Sequence, residues 1–294
     1  MKPRSALVIA LLAVATALTG CKDDPGPPAT PDWKYQVHVG DQYVALGDSY
    51  TSAPRTGHKA PDSGECQNTV VNYPHRIARA TGADLVDNSC SGATTGTLKR
   101  QQLDVGHPPQ LADVDEDTAL ITFRLGANDK SLYAHIIQCS LLSLTDKEGD
   151  PCTELDKDQG KKRLAVIIPE AQDAIEKALV TVRERAPEAR IVVISYPRVA
   201  PDKGSCKKFP LPHGDYAYAR RIIKGVNKGL EKGAEKIDAT YIDMYAASKG
   251  HDVCSKHPWV AGFPRPKSGD AAAWHPYPVE GKEVAKLVLA AIRS

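Results

Sequence analysis

The sequence predicts an α/β fold, a three-layer α/β/α sandwich around a parallel five-stranded sheet. Short runs of apolar and β-branched residues indicate buried strands, and longer stretches with apolar residues at helical spacing separate them. Strands that alternate with helices pair in parallel through right-handed crossovers. Since ligands bind at the carboxyl ends of the strands in such sheets, we expect the functional residues there.

Five short segments are predicted strands because each is apolar and most are bounded by turn residues. They are Tyr43 to Leu46, Ala83 to Val86, Ala119 to Phe123, Arg190 to Ser195 and Thr240 to Ile242. The helices between and after them are predicted from periodicity and end signals. They are Tyr73 to Ala80, Arg163 to Arg185, Tyr216 to Lys236 and Val279 to Ile292.

Residues 1–20 have the pattern of an export signal rather than of a domain. Lys2 and Arg4 precede an apolar run from Ala6 to Leu18 that is too short to cross a bilayer comfortably. The run ends in Leu-Thr-Gly-Cys21, which resembles the lipobox of bacterial lipoproteins, so we expect cleavage before Cys21 and a lipid on its thiol. An ordinary signal peptide with an incidental cysteine is the alternative. Either way the protein is exported, to the outer face of the cell membrane or beyond.

The next segment, residues 21–35, is rich in proline and charge and is predicted to be a flexible tether after the lipidated cysteine. No repeat or second linker follows, so residues 36–294 form one predicted folded domain. Nothing in the sequence predicts an oligomer, and we expect a monomer.

Charge argues against nucleic acid as a partner. The chain has 38 basic and 36 acidic residues, and removal of the signal takes away Lys2 and Arg4, so the mature charge is zero. No basic surplus remains to bind a phosphate backbone.

Six cysteines remain after Cys21, an even number that suits disulfides in an oxidising compartment. Sequence alone leaves fifteen pairings open. Our hypothesis is sequential pairing because it closes local loops: Cys66–Cys90, Cys139–Cys152 and Cys206–Cys254. Zinc binding is the competing interpretation, but regular Cys/His spacing is missing, so we predict no metal.

Three motifs follow the first three predicted strands. Gly47-Asp48-Ser49 places a serine hydroxyl at a sharp turn, Gly92 lies in Ser-Gly-Ala-Thr-Thr, and Asn128 lies in Gly-Ala-Asn-Asp. The backbone N–H groups of Ser49 and Gly92 and the amide of Asn128 could stabilise an oxyanion. Helix caps for Ser49 and Asn128 and a turn for Gly92 are the structural alternatives. Asp129 is expected to brace the loop that carries Asn128.

His275, in Trp-His-Pro ahead of the final predicted helix, is the candidate base. A neutral imidazole near pH 7 suits the activation of a serine hydroxyl. A capping or core histidine is the alternative.

These four segments, in this order, resemble the blocks of the SGNH (GDSL) hydrolase family. The resemblance implies that Ser49 is the nucleophile, that Gly92 and Asn128 are oxyanion donors, and that His275 is the acid-base residue. The six cysteines and Ala-Leu-Gly-Asp-Ser-Tyr-Thr-Ser further resemble the secreted actinobacterial lipase and esterase branch, whose members carry three disulfides.

One position departs from the family pattern. Ala272 stands where family members usually have an aspartate, three residues before the histidine. Two groups could then orient the ring of His275: the carbonyl of Ala272, which we favour, or the carboxylate of Asp270.

The predicted activity is therefore hydrolysis of lipid or small acyl esters through an acyl-enzyme on Ser49, with no cofactor. Two alternatives stay open: an O-acetylesterase acting on cell-wall or plant polysaccharide, and a non-catalytic envelope lipoprotein that keeps the fold.

Overall fold

A computed structural model describes residues 36–61, 63–102, 106–158, 163–266 and 270–293. The predicted signal segment, Cys21 and the tether up to residue 35 lie outside the described residues.

The centre of the fold is a sheet of five parallel strands, as predicted. The strands are β1 (Gln42–Gly47), β2 (Asp84–Asp87), β3 (Leu120–Arg124), β4 (Arg190–Ile194) and β5 (Thr240–Ile242). Their spatial order is β2-β1-β3-β4-β5, with Val44 opposite both Val86 and Ile121. β2 lies on one side of β1 and β3 on the other, so the loops that follow these three strands lie side by side at the carboxyl edge of the sheet.

The four predicted helices are confirmed as α2 (Tyr73–Thr81), α5 (Arg163–Arg185), α6 (Tyr216–Lys236) and α8 (Pro278–Arg293). Further helices are α1 (Ser49–Ser52), α3 (Leu132–Leu142), α4 (Pro151–Asp158) and α7 (Met244–Ala247). Helix α3 was not predicted because apolar side chains lie on all of its sides, which leaves no amphipathic period. Short 3-10 turns occur at Gly64–Cys66, Thr95–Leu98, Asp129–Ser131 and His213–Asp215.

Alternating strand residues supply two apolar layers, one on each face of the sheet. Val44, Leu46 and Phe123 pack against the layer of α5 and α6. Tyr43 and Val192 pack against the layer of α2 and α8. The sheet is therefore covered by an apolar core on each face, and only the carboxyl ends of its strands are free to carry functional residues.

All three predicted disulfides are confirmed. Their Cα–Cα distances are 4.1 Å for Cys66–Cys90, 5.8 Å for Cys139–Cys152 and 5.6 Å for Cys206–Cys254. The first links the loop after α1 to the loop after β2, and the second links α3 to α4. The bonds thus fix loops and helices around the sheet rather than the strands themselves.

Candidate active site

Ser49 begins α1 directly after β1, with 9% of its surface exposed. Asp48 caps the helix, because its Oδ1 accepts the N–H of Tyr50 at 2.9 Å. The turn requires glycine at position 47, since a Cβ there would lie 2.0 Å from Oγ1 of Thr51. This tight strand-to-helix turn holds the Ser49 hydroxyl at the carboxyl end of β1.

The second and third motifs lie beside it. Gly92 has φ +82°, a conformation that favours glycine, and its neighbour Ser91 contacts Ser52 of α1, with the two Oγ atoms 3.1 Å apart. The side-chain nitrogen of Asn128 donates to the carbonyl of Ala93 at 3.0 Å. An amide nitrogen carries two N–H groups, so one can orient Asn128 while the other serves a bound oxyanion.

Asp129 braces this arrangement, as expected. Its Oδ1 accepts the N–H of Thr95 at 3.0 Å, which ties the loop after β3 to the loop after β2. This hydrogen bond therefore fixes the relative positions of the two loops that carry Gly92 and Asn128, the candidate oxyanion donors.

The structure corrects the predicted partner of His275. Nδ1 of the ring lies 2.7 Å from the carbonyl oxygen of Ala273, not from that of Ala272. The carbonyl of Ala272 instead accepts the backbone N–H of His275 at 3.2 Å, and Asp270 is exposed. The reason is the backbone of Trp274, whose φ of +67° tightens the turn so that the residue two positions before the histidine faces the ring. With Nδ1 bonded to a carbonyl, the ring carries its proton there and presents a lone pair at Nε2.

Burial lowers the pKa of His275 below its ordinary value of 6.5, and the hydrogen bond to Ala273 raises it to a smaller extent. The imidazole is therefore neutral near pH 7, the state in which it can accept a proton. Its ring centroid lies 6.0 Å from that of Tyr50, the residue after Ser49. The candidate nucleophile and base thus lie at the same edge of the sheet.

Two tyrosines, which sequence reasoning missed, fix the backbone beside His275. The hydroxyls of Tyr50 and Tyr133 lie 3.0 Å and 2.6 Å from the carbonyl oxygen of Trp274, and 2.7 Å from each other. Two hydroxyl protons serve these three contacts, and the shortest distance to the carbonyl assigns Tyr133 as its principal donor. The strained turn at Trp274 is thereby tied to the helix that carries Ser49 and to α3.

A buried ion pair, also missed, lies beneath these tyrosines. Nη2 of Arg124 is 2.7 Å from Oε1 of Glu280, and neither side chain is exposed. The guanidinium packs over both Tyr50 and Tyr196, 5.2 Å and 5.4 Å from their ring centroids, and Nη1 donates to the carbonyl of Tyr50 at 3.3 Å. The sequence did contain a signal of this ion pair: Arg124 ends an apolar strand, and a cation that is buried there requires a partner of opposite charge. The pair joins β3 to the first turn of α8, the helix that follows His275.

Asp48 completes the buried network. Its Oδ2 accepts the hydroxyl of Tyr196 at 2.6 Å, and that hydroxyl also accepts the N–H of Ala127 at 3.3 Å. Burial raises the pKa of Asp48 from 3.8 to about 6, although the hydrogen bonds of Tyr196 and Tyr50 and the charge of Arg124 oppose the rise.

The sequence pattern of the GDSL-like lipase/acylhydrolase family matches residues 45–278, a range that contains all four motifs. The chain belongs to this family. Lipase 2 of Streptomyces coelicolor is 36% identical over 217 residues, which cover 72% of each chain. An esterase of Streptomyces scabiei is 28% identical over 85% of this chain and 82% of its own length.

Solved structures agree in fold and in class. Phospholipase A1 of Streptomyces albidoflavus superposes with a TM-score of 0.72 and 25% identity, over 86% of this chain and 99% of the other. The extracellular lipase of Streptomyces rimosus gives a TM-score of 0.70 with 26% identity, over 86% of this chain and all of the other. The protein described here is an ester hydrolase of the SGNH type.

Proposed function

We propose that this hydrolase cleaves carboxylic esters of lipids through an acyl-enzyme on Ser49. The observation that carries the proposal is the pair of tyrosine hydrogen bonds to the carbonyl of Trp274, which hold His275 beside the helix that Ser49 begins. The names of the relatives, lipase, esterase and phospholipase A1, support lipid esters as the substrate class.

In the first step Oγ of Ser49 attacks the ester carbonyl while Nε2 of His275 takes the hydroxyl proton. The carbonyl oxygen becomes an oxyanion that accepts hydrogen bonds from the N–H of Ser49, the N–H of Gly92 and the amide of Asn128. Collapse of the tetrahedral intermediate breaks the C–O bond, and the departing alcohol receives the proton from Nε2. Water then repeats the sequence on the acyl-enzyme and releases the acid and the free Ser49 hydroxyl.

The orienting group in this scheme is a neutral dipole. The carbonyl of Ala273 fixes the tautomer of His275, but it stabilises the imidazolium less than a carboxylate would. The site therefore works as a dyad, and the oxyanion donors carry a larger share of the transition-state stabilisation.

Labelling with a fluorophosphonate tests the nucleophile. We expect one covalent adduct, on Ser49, and none in Ser49→Ala. The matched control is Ser140→Ala, which removes a serine hydroxyl that donates to the carbonyl of Ile137 within α3 and should leave labelling intact. An adduct that persists in folded Ser49→Ala would show a different nucleophile and refute the role of Ser49. Folded wild-type protein that does not react would refute the acyl-enzyme and favour the non-catalytic scaffold.

Acyl-chain preference tests the substrate class. We expect p-nitrophenyl esters of medium and long acyl chains to be hydrolysed with higher kcat/KM than the acetate. A steep preference for acetate would refute the lipid proposal and favour a polysaccharide O-acetylesterase.

We further propose that the protein is exported and held on the outer face of the membrane by a lipid on Cys21. The basic-apolar start of the chain and the Leu-Thr-Gly-Cys sequence support this. Within the described residues no helix is long and apolar enough to cross a bilayer. We expect Cys21→Ser to release the enzyme from the membrane fraction and to remove the lipid mass from its N-terminal peptide. Retention of both in the variant would refute the anchor.

A further inference from the structure

A second cavity of about 310 Å³ lies away from the catalytic residues, between α3 and α4. The beginning of α5 and Tyr218 of α6 close its other sides, and none of Ser49, Gly92, Asn128 and His275 lines it. The disulfide Cys139–Cys152 joins the two helices that form its walls, so the cavity exists before any ligand binds.

The mouth of the cavity is apolar and unusually exposed. Leu141 and Leu155 line it with 63% and 50% of their surfaces exposed, and the half-buried Leu142 lines it as well. Five large apolar side chains are exposed between α3 and the start of α5: Ile137, Leu141, Leu144, Leu155 and Val166. Elsewhere in the described part of the chain such side chains are scattered.

The lining of the cavity also has polar side chains, one of which carries an unsatisfied atom. His135 lines the cavity, is only 7% exposed, and its Nε2 has no hydrogen-bond partner within the described residues. A buried ring nitrogen without a partner costs free energy unless a ligand supplies one. This atom is therefore an observation in favour of a polar ligand group, independent of the apolar mouth.

Charge identifies the sign of that group. Asp156 and Arg163 are the carboxylate and the guanidinium that line the cavity. The Asp156 side chain is already engaged, since Oδ1 accepts the N–H of Leu164 at 2.6 Å and Oδ2 lies 3.7 Å from Nη1 of Arg221. Asp156 is paired with Arg221, whereas the exposed Arg163 makes no ion pair within the described residues, so its guanidinium is available to a single anion.

We propose that this cavity is a binding site for a long-chain carboxylate, a free fatty acid, distinct from the catalytic cleft. The carboxylate binds Arg163 and accepts Nε2–H of His135, and the alkyl chain passes Leu142 and leaves between Leu141 and Leu155. Binding itself does not depend on the acyl-enzyme. It gains a role from the proposed function, because hydrolysis of lipid esters releases this class of acid.

The test is calorimetric titration of decanoate, below its micellar range, into full-length protein whose Ser49 has been blocked by a phosphonate. We expect one decanoate per chain, and binding about fourfold tighter for each added methylene. Arg163→Gln should weaken Kd about tenfold, and Leu155→Asn should weaken it by at least about fivefold. Decyltrimethylammonium, with the same chain and opposite charge, should not bind.

The matched controls remove similar groups that do not line the cavity. Lys157→Gln removes a 63% exposed cation of α4, and Val39→Asn removes an 83% exposed valine ahead of β1. Both should leave Kd unchanged. The proposal is overturned if blocked protein does not bind decanoate, or if neither Arg163→Gln nor Leu155→Asn changes Kd. It is also overturned if decyltrimethylammonium binds as tightly as decanoate. Should the phosphonate fail to react, which refutes the proposed function instead, the same titrations in Ser49→Ala still decide between these outcomes.

Discussion

The protonation of Asp48 should make the stability of this protein depend on pH in a direction opposite to that of most carboxylates. Asp48 is 1% exposed, and its pKa is raised by burial from 3.8 to about 6. As pH rises from 3.8 to 6, the unfolded chain loses this proton before the folded chain does, so the unfolded state is favoured. The full effect of this shift is a loss of about 3 kcal/mol above pH 6.

The Asp48→Asn variant isolates this contribution because an amide does not titrate. Relative to wild type, the variant should gain about 2 kcal/mol of unfolding free energy between about pH 4 and about pH 8. Urea denaturation at several pH values, with disulfides intact, measures both proteins. Other groups titrate equally in both and cancel in the difference. A difference that is flat over this range, or that favours wild type as pH rises, refutes the assignment.

Four further results are expected from the same geometry. Asn128→Ala should lower kcat by about 10²–10³-fold because it removes the proposed oxyanion donor. Steady-state kinetics measures kcat, and thermal unfolding should show little change in stability. An unchanged kcat would exclude that role. The acid limb of kcat/KM should fall below pH 6.5, since burial lowers the pKa of His275; a limb at higher pH would contradict a neutral buried base. Tyr133→Phe should lower kcat about tenfold through misplacement of His275, with KM nearly constant in the same assay; a change in KM alone would indicate a role in substrate binding. Glu280→Gln should cost about 3–5 kcal/mol in urea unfolding because it leaves the cation of Arg124 buried without a counterion, whereas replacing both residues by methionine should recover most of it; a single variant as stable as wild type would show that the pair is dispensable.

The layers of the fold were predictable because local signals agree with the tertiary structure. Arg163–Arg185 and Tyr216–Lys236 are amphipathic over many turns, so their periodicity gave both bounds. Helix α3 was missed because Leu132–Leu142 buries one side and exposes apolar residues on the other. Its sequence therefore has no period, and only the packing of α4 and α6 beside it explains its position.

The residues of the site likewise divide into those that local motifs indicate and those that only the folded chain brings together. Local motifs at strand ends indicated Ser49, Gly92 and Asn128, and their roles remain proposals. The partner of His275 was wrong by one residue because a positive φ at Trp274, a non-glycine residue, is not encoded in local propensity. The contacts of Tyr50 and Tyr133 with Trp274 join residues 224 and 141 positions apart, and spacing carries no information about such pairs.

The long sequence separation of those hydrogen bonds has a consequence for biogenesis. Tyr50 contacts the carbonyl of Trp274 across 224 residues, and Arg124 contacts Glu280 across 156. With Ser49 and His275 in their proposed roles, an emerging chain therefore contains the nucleophile long before it contains the base, and the two meet only when α8 docks on the finished sheet. The proposed hydrolytic activity then begins only once the fold is complete.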